Sequence, residues 1–359
     1  MFKRLETIVY WGSLMGAGRG AKPTLISLFS GCGGLDLGFK NAGFEVVWAN
    51  DIHAYAVETY RKNLGPEIVL KDIREVAADD IPQADVLVAG FPCQPFSSAG
   101  KRLGTADLRG SLFLECFRII DAKKPKAVVF ENVRGLKSIH NGALLEKILL
   151  MFRERGYSVF FDLVNASEYG VPQKRIRLII VALKDGEYVF PEKLYGVDLS
   201  LGATIGNVDA SLSNAVSLPL SPQIQKIIGF IPEGGSWKNI PESELPPRLL
   251  KIRRNMRKYR SPNFMRRFAM SEICGTITAS ATPENSGILH PVQNRRFTVR
   301  EIARIQSFPD DFVFYGPLRE QYRQIGNAVP PKLAQKIAEN LKSALQASTE
   351  IRVAVRSTA

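Results

Sequence analysis

The sequence of 359 residues has four cysteines, three histidines and no long apolar run. The cysteines, at positions 32, 93, 116 and 274, are too far apart for zinc-ligand spacing and too few for a secreted disulfide scaffold. We therefore predict no metal site and a reducing, cytoplasmic setting. Because no stretch of about eighteen apolar residues occurs, we also predict no membrane-spanning helix.

Acidic residues are scarce relative to basic ones. The chain has 48 Lys and Arg against 35 Asp and Glu, so its formal net charge is +13 at pH 7. A charge excess of this sign favours a polyanionic partner, with nucleic acid first and an anionic membrane surface second. The length allows two domains with a sizeable core.

Short apolar strands alternate with helical stretches from Thr24 to about Lys184. This alternation is typical of βαβ units, so we predict an α/β fold with an open, mostly parallel twisted sheet. The predicted strands comprise residues 24–29, 44–50, 85–90, 127–130, 158–164 and 176–183. A last helix should begin at Pro330 and Pro331 and pack on the body, because one apolar stripe recurs every four residues at Leu333, Ile337, Leu341 and Leu345.

The composition changes after Asp185, and residues 196–225 carry only two charges, which predicts a domain boundary. The stretch that follows, residues 245–270, holds nine Lys or Arg and no acidic residue, with aromatic residues interleaved. Such a run favours an ordered surface that contacts phosphates, and a solvated charged face is the alternative. The candidate phosphate contacts in it are Arg253, Arg254, Arg257 and Lys258.

The first predicted strand runs into a glycine-rich turn, FSGCGGLDLGF at residues 29–39. A dinucleotide fingerprint would need its third glycine at position 36, where the chain has Asp36, and this argues against a nicotinamide dehydrogenase. Glycines at such a turn still let the backbone approach a ligand, and Asp51 and Asp72 follow strand-like stretches where a carboxylate can hold ribose. A ligand with a ribose and a base but no phosphate fits, and S-adenosylmethionine is the obvious candidate. A tight packing turn is the alternative.

A cysteine stands between two prolines in GFPCQPFSS, residues 90–98, just after a predicted strand. Glu131 ends the next predicted strand, and the carboxyl edge of an open α/β sheet is where ligands bind. We therefore expect Cys93 and Glu131 to face one cleft, as a thiolate nucleophile and a carboxylic acid. The alternatives are a cysteine packed as a small hydrophobe and a carboxylate with a structural role.

Polar residues alternate in QKRIR, residues 173–177. An extended chain would place Gln173, Arg175 and Arg177 on one face, so we predict that they form a cleft wall. The positive charge of the two arginines would also lower the pKa of the Cys93 thiol.

Six blocks of the sequence together resemble the C5-cytosine DNA methyltransferases, the bacterial modification enzymes in particular. The blocks are FSGCGGLDLGF, GFPCQPFSS, FENVRGL, YGVPQKRIRL, RRFTVREIARIQSFPDDF and YRQIGNAVP, and the resemblance runs from about Thr24 to Leu345. It implies an S-adenosylmethionine-dependent methyltransferase fold with a second, smaller DNA-recognition domain. It also implies double-stranded DNA as the substrate and a cognate restriction endonuclease as a partner acting on the same site.

The resemblance implies a mechanism in which the target cytosine is flipped out of the duplex. Cys93 would add to C6 while Glu131 hydrogen-bonds N3, C5 would take the methyl group, and loss of the C5 proton with β-elimination would release the cysteine. Arg175 and Arg177 would orient the base and the active-site groups, with Arg177 the better candidate for O2. The positions assigned to catalysis by the resemblance are Cys93, Gln94, Ser97, Glu131, Arg175 and Arg177.

The resemblance also assigns binding positions. Those for the cofactor are Phe29, Gly31, Cys32, Gly33, Gly34, Asp51, Ile52, Asp72, Ile73, Pro92, Asn327 and Val329. At Ile52 many relatives place a tryptophan against the adenine, so this chain departs from the pattern there. The candidate DNA contacts are Arg253, Arg254, Arg257, Lys258 and Thr278.

The predicted domain organisation follows the same resemblance. It comprises a leader of residues 1–23, a catalytic and cofactor-binding domain of 24–185, a target-recognition domain of 186–317, a segment of 318–346 that returns to the catalytic domain, and a tail of 347–359. One chain would carry every part, so we expect a monomer.

Two further functions remain open from the sequence. A C5-cytosine tRNA methyltransferase would share the blocks but typically carries a Cys-Phe-Thr triplet, whereas here Cys274 is followed by Gly275 and Thr276. A catalytically silent DNA-binding homologue would have lost part of the site, whereas Cys93, Glu131 and both arginines are present.

Overall fold

A computed structural model describes residues 21–92, 112–255, 264–280 and 289–357. Its centre is a seven-stranded sheet with the order β3-β2-β1-β4-β5-β7-β6, in which only β7 runs antiparallel to its neighbours. The strands are β1 (Thr24–Leu28), β2 (Glu45–Asp51), β3 (Ile68–Leu70), β4 (Val86–Ala89), β5 (Ala127–Val133), β6 (Ser158–Asn165) and β7 (Ile176–Leu183). The predicted α/β class with a mostly parallel sheet is confirmed.

The helices of the described residues surround this sheet and continue beyond it. They are α1 (Gly34–Asn41), α2 (Ala54–Asn63), α3 (Leu112–Lys123), α4 (Ala143–Glu154), α5 (Leu201–Ile205), α6 (Pro222–Ile227), α7 (Pro247–Arg254), α8 (Val299–Ile305), α9 (Leu318–Asn327) and α10 (Pro331–Ser357). Within these ranges, none of the helices is long and apolar enough to cross a membrane.

Two cores cover the two faces of the sheet, because successive side chains of each strand point to opposite faces. On one face Phe130 of β5 packs with α3 and α4. On the other face Val129 packs with α1 and with the apolar stripe of α10, where Leu333 and Ile337 are fully buried. The predicted docking of the last helix is confirmed.

Strand β5 is longer than the apolar run 127–130 predicts. It extends to Val133 because the reversed strand β7 pairs along its whole length, with Glu131 opposite Ile179 and Val133 opposite Arg177. The polar residues Glu131 and Asn132 therefore continue the β5–β7 hydrogen-bond ladder to the edge of the sheet.

Two further cores involve residues from the second half of the chain. One joins α2 and the end of β2 to α8 and α9, around the fully buried Tyr60 and Phe297. The other is smaller and gathers Trp237, Leu249 and Phe264 between α6 and α7.

Candidate active site

A cavity of about 660 Å³ lies at the carboxyl ends of the parallel strands. This is the edge where open α/β sheets bind ligands. The predicted cofactor positions that line it are Phe29, Gly31, Cys32, Gly34, Asp51, Ile52, Asp72, Ile73, Pro92, Asn327 and Val329. The same cavity is lined by Glu131, Arg175 and Arg177, so one space brings both groups of candidates together.

The glycine-rich turn after β1 combines an open position with packed ones. Phe29 and Gly31 both have left-handed backbone, with φ of 55° and 56°. A Cβ on Gly31 would meet no atom within 4 Å, whereas one on Gly33 would lie 2.2 Å from Cδ1 of Leu64. Gly31 therefore leaves room for a ligand, and Gly33, which does not line the cavity, is required by packing.

The carboxylate of Asp51 is fixed at the end of β2 by two backbone groups. Its Oδ2 accepts the N–H of Gly31 at 2.8 Å, and its Oδ1 accepts the N–H of His53 at 2.8 Å. Each carboxylate oxygen has a second lone pair, so Asp51 can still accept hydrogen bonds from ligand hydroxyls.

Asp72, beyond β3, is held by a neighbouring arginine. Arg74 donates to both carboxylate oxygens, with Nη2 2.5 Å from Oδ2. These hydrogen bonds keep the pKa of Asp72 below its usual range. The carboxylate is therefore available as an acceptor at neutral pH.

Two amide side chains at this site, those of Asn50 and Gln324, were missed by sequence reasoning. Asn50 and Gln324 line the cavity, and Asn50 Oδ1 and Gln324 Oε1 are buried without a hydrogen-bond partner among the described residues. The amide nitrogen of each is engaged, since Asn50 donates to the Lys71 carbonyl at 2.6 Å and Gln324 to the Tyr315 carbonyl at 2.9 Å. The signals were present in the sequence, because these residues flank Asp51 and the GNAVP block.

Glu131 forms an ion pair with Arg177 across the β5–β7 ladder. Nε of Arg177 lies 2.8 Å from Oε1 of Glu131, and both side chains are about nine-tenths buried, with 12% and 10% exposed. A Cβ built on Gly90 would lie 3.6 Å from Oε2 of Glu131. The second carboxylate oxygen therefore faces the end of β4, three residues before Cys93.

The exit of β4 is tied to the end of β5. Nδ2 of Asn132 donates to the carbonyl of Phe91 at 3.0 Å, inside the protein. Pro92, the next residue, lines the cavity. Cys93, Gln94 and Ser97 follow in the sequence and lie outside the described residues.

Arg175 is fully enclosed and binds backbone carbonyls. Its Nη1 donates to Ile277 at 2.7 Å, and its Nη2 donates to Gly326 at 2.9 Å and to Ala328 at 3.1 Å. Burial, with the nearby charge of Arg177, lowers the pKa of Arg175 well below its usual range. These contacts make Arg175 a positioning residue.

The predicted cleft wall of three alternating side chains is only partly formed. Gln173 is wholly buried, its Oε1 accepts the N–H of Ile277 at 2.9 Å, and its Nε2 donates to Oε1 of Gln306. Backbone groups of a distant segment thus enclose Gln173 and Arg175, and Arg177 is the member that reaches Glu131. Arg175 and Arg177 line the cavity and Gln173 does not, so two of the three residues form the predicted cleft wall.

The cysteines of the described ranges are buried thiols. Burial raises the pKa of Cys32 to about 12, and it also raises the pKa of Cys116 and of Cys274. A thiol with so high a pKa is a weak nucleophile at neutral pH.

The basic stretch of residues 245–270 contains inward and outward arginines. Arg253 donates its Nη1 to the Ile240 carbonyl at 2.6 Å and stacks on Trp237, whereas Arg254 keeps 68% of its side chain exposed. Phe264 and Phe268 are buried, so these two of the interleaved aromatics serve packing, and Tyr259 lies outside the described residues. Arg257 and Lys258 lie outside the described residues, and Thr278 is half-buried.

Comparison with protein families gives one extended match. A family model described as C-5 cytosine-specific DNA methylase matches residues 24–343. This range covers the sheet, the cavity and the first half of α10.

Two bacterial enzymes are similar to this chain over most of its length. The type II methyltransferase M.NgoFVII of Neisseria gonorrhoeae is 39% identical over 333 residues, which cover 89% of this chain and 86% of that protein. M.Sau96I of Staphylococcus aureus, also a type II methyltransferase, is 36% identical over 322 residues, which cover 87% of this chain and 74% of that protein. The solved structure of an Escherichia coli protein, assigned as a DNA modification methyltransferase encoded within a prophage, matches with a TM-score of 0.67 at 23% identity. It covers 90% of this chain and 100% of that chain, and it supports the fold.

Proposed function

Because the chain belongs to the C-5 cytosine-specific DNA methylase family, we propose that it methylates C5 of a flipped-out cytosine in a specific duplex sequence. The family and the bacterial relatives make it a DNA cytosine-5-methyltransferase. The observation that carries the proposal is the single cavity in which Glu131 and Arg177 meet Gly31 and Asp51. We further assign the enzyme to a restriction-modification system, with a cognate endonuclease acting on the same site.

The cofactor assigned to this cavity is S-adenosylmethionine, which supplies an electrophilic methyl group when it is bound. The cavity volume lies in the usual range for small-molecule sites, about 300–1,000 Å³. Asp51 is assigned to the ribose hydroxyls, and the open side of Gly31 admits the ligand close to the backbone. The unpaired oxygens of Asn50 and Gln324 suit the ammonium and amine donors of this cofactor.

Cys93 is assigned as the nucleophile. Its thiolate forms a bond to C6 of the cytosine. The electron pair of the C5–C6 double bond is thereby displaced to C5, which becomes nucleophilic. C5 would then take the methyl group as the bond between that methyl and the sulfonium sulfur breaks, and S-adenosylhomocysteine would leave. Solvent would remove the proton from C5, and the electron pair of that C–H bond would reform the C5–C6 double bond as the C6–sulfur bond breaks and releases the Cys93 thiolate. Glu131 shares a proton with N3 through Oε2, so negative charge does not accumulate there.

The two arginines have different roles in this proposal. Arg177 orients Glu131 through Nε, and its guanidinium is assigned to O2 of the base. Arg175 holds the backbone around the site without touching the base. Gln94 and Ser97 are assigned to the loop that closes over the flipped cytosine.

Contacts with DNA are assigned to the second half of the chain, within residues 186–317. We keep Arg254, Arg257, Lys258 and Thr278 in the proposed set and remove Arg253, because its guanidinium binds backbone carbonyls and Trp237. Phosphate contacts of this kind position the duplex without reading its sequence. The remaining divisions, at residues 1–23, 24–185, 318–346 and 347–359, stay part of the proposal.

The test uses purified protein, S-adenosylmethionine labelled on its methyl group, unmethylated plasmid DNA and, separately, bulk tRNA. We expect label on DNA as 5-methylcytosine, and sequencing of the modified plasmid then gives the recognition site. Cys93→Ser should abolish transfer while it leaves DNA and cofactor binding intact. Label on tRNA alone would move the same chemistry to RNA, and cofactor binding without transfer to either would favour a silent DNA-binding protein.

A further inference from the structure

A second cavity, of about 500 Å³, lies beside the active-site cavity. Its polar and charged lining comprises Ser221, Ser280, Arg296, Arg319, Glu320 and Arg323. The lining has three arginines and one glutamate, so the cavity has an excess of positive charge. None of these residues belongs to the active-site assignments above.

The guanidinium groups of this second cavity are held to different degrees. Arg323 is paired with Glu320 at 2.9 Å, and Nη1 of Arg296 donates to the carbonyl of Leu218 at 3.0 Å. Arg319 is exposed, and among the described residues it makes no ion pair or hydrogen bond. Its charge is therefore the one most available to an incoming anion.

The position of the second cavity relates it to both substrates. Glu320 and Arg323 line both cavities, so their ion pair forms a wall that the two share. Ser280, which also lines the second cavity, lies two residues after the candidate DNA contact Thr278. The backbone of Thr278 packs closely on Gly326, because a Cβ built on Gly326 would lie 2.2 Å from the carbonyl oxygen of Thr278.

We propose that the second cavity binds a backbone phosphate of the DNA near the flipped cytosine, with Arg319 as its main contact. This inference rests on the proposed function, because DNA is the polyanion that must reach this edge of the active site. A phosphate that is neutralised by the protein releases its counterions. Each neutralised phosphate therefore makes the fall of log K with log salt concentration steeper by about 0.9. Arg323 contacts the same phosphate and reaches towards the cofactor cavity, where its Nη2 lies 3.1 Å from Nδ1 of His53.

The experiment measures binding of Arg319→Gln and of the wild type to a fluorescent duplex across a range of salt concentrations. The duplex is unmethylated and carries the recognition sequence identified with the plasmid DNA. The expected slope is smaller by about 1, with weaker binding at low salt. Arg153→Gln is the matched control, because Arg153 is an exposed arginine of α4 that lines neither cavity, and its slope should equal that of the wild type. Arg319→Gln should bind S-adenosylmethionine as the wild type does.

A second variant separates the two cavities. Arg323→Gln should reduce the salt slope and also weaken binding of S-adenosylmethionine, because Arg323 lines both spaces. An Arg319→Gln slope equal to that of the wild type would overturn the phosphate site, and so would an equal loss in Arg153→Gln. A wild type that fails to bind DNA would overturn it as well. Methyl transfer by the wild type is scored separately, so failure of the proposed function is distinguished from failure of this site.

Discussion

Arg175 and Ile277, 102 residues apart in the sequence, are joined by a buried hydrogen bond of 2.7 Å. The same guanidinium binds the carbonyls of Gly326 and Ala328, on either side of the proposed cofactor contact Asn327. One side chain thus connects the start of β7, the segment that leads to Thr278, and the end of α9. This connection links the segments that carry the proposed DNA contact Thr278 and the proposed cofactor contact Asn327.

Replacement of Arg175 by lysine is expected to reduce stability. A lysine ammonium cannot reach three carbonyls on two segments, and each buried carbonyl left unpaired costs roughly 1–3 kcal/mol. We expect a lower denaturant midpoint for Arg175→Lys, measured by circular dichroism. Arg177→Lys is the comparison, because Arg177 lies at the cavity and its loss should reduce turnover with a smaller change in midpoint. Equal midpoints in the two variants would contradict the role of Arg175.

Replacement of Glu131 by glutamine is expected to lower turnover by a factor on the order of 10² to 10⁴, the usual contribution of a general acid. Glutamine keeps the size of the side chain and a hydrogen bond, but it cannot deliver a proton to N3. The rate of label transfer to DNA measures the effect, and S-adenosylmethionine affinity serves as the control for an intact cavity. A turnover equal to that of the wild type would return Glu131 to a structural role.

The sheet and the location of the site could be predicted from the sequence because both follow from local patterns. Apolar runs identify the strands, and the carboxyl ends of neighbouring parallel strands meet at one edge, so Glu131 had to lie near the end of β4. The apolar stripe of Leu333, Ile337 and Leu341 likewise determines how α10 packs.

The inward orientation of polar side chains could not be predicted. Gln173 and Arg175 look exposed in the sequence, and their burial depends on a partner at Ile277 that only the tertiary fold brings close. Arg253 looks like one charge in a basic run, and Trp237, sixteen residues before it, turns it inward. In both cases the partners include backbone groups, the N–H and carbonyl of Ile277 for Gln173 and Arg175 and the carbonyls of Trp237 and Ile240 for Arg253, and a backbone group leaves no signal in the amino-acid sequence.

Asp36 is expected to make stability depend on pH. It is fully buried and accepts hydrogen bonds from Ser27 at 2.6 Å and Tyr60 at 2.8 Å, and burial raises the pKa of its carboxyl from 3.8 to about 6. Its contribution to stability is fully present below about pH 4 and is lost as pH rises through 6, because the unfolded chain releases the proton first. The loss amounts to about 3 kcal/mol, at 1.36 kcal/mol per pKa unit.

The variant Asp36→Asn isolates this contribution. The amide can accept from Ser27 and donate to the Tyr60 hydroxyl, and it carries no charge at any pH. We expect its free energy of unfolding, relative to that of the wild type, to rise by about 3 kcal/mol between pH 4 and pH 7, measured by urea denaturation at fixed ionic strength. Parallel pH profiles for the two proteins would show that Asp36 titrates normally.

Gly31 and Gly38 allow a matched test of which glycine serves the ligand. A methyl group on Gly31 meets no protein atom but lies in backbone with φ of 56°, so Gly31→Ala should cost about 1 kcal/mol of stability and weaken S-adenosylmethionine binding. A methyl group on Gly38 would lie 2.4 Å from Cβ of Ala334 in α10, so Gly38→Ala should separate α1 from α10 and lower stability more.

The ratio of the two effects decides the assignment. Calorimetric titration with S-adenosylmethionine and thermal unfolding, both on each variant, give affinity and stability separately. Gly31→Ala should lose more affinity for S-adenosylmethionine per unit of lost stability than Gly38→Ala. The reason is that the methyl group on residue 31 would enter the cavity, where it meets no protein atom but would contact a bound ligand. If the two variants lost affinity only in proportion to stability, the turn would be a packing turn throughout, and the cofactor would have to be held by Asp51 and the amide oxygens of Asn50 and Gln324 alone.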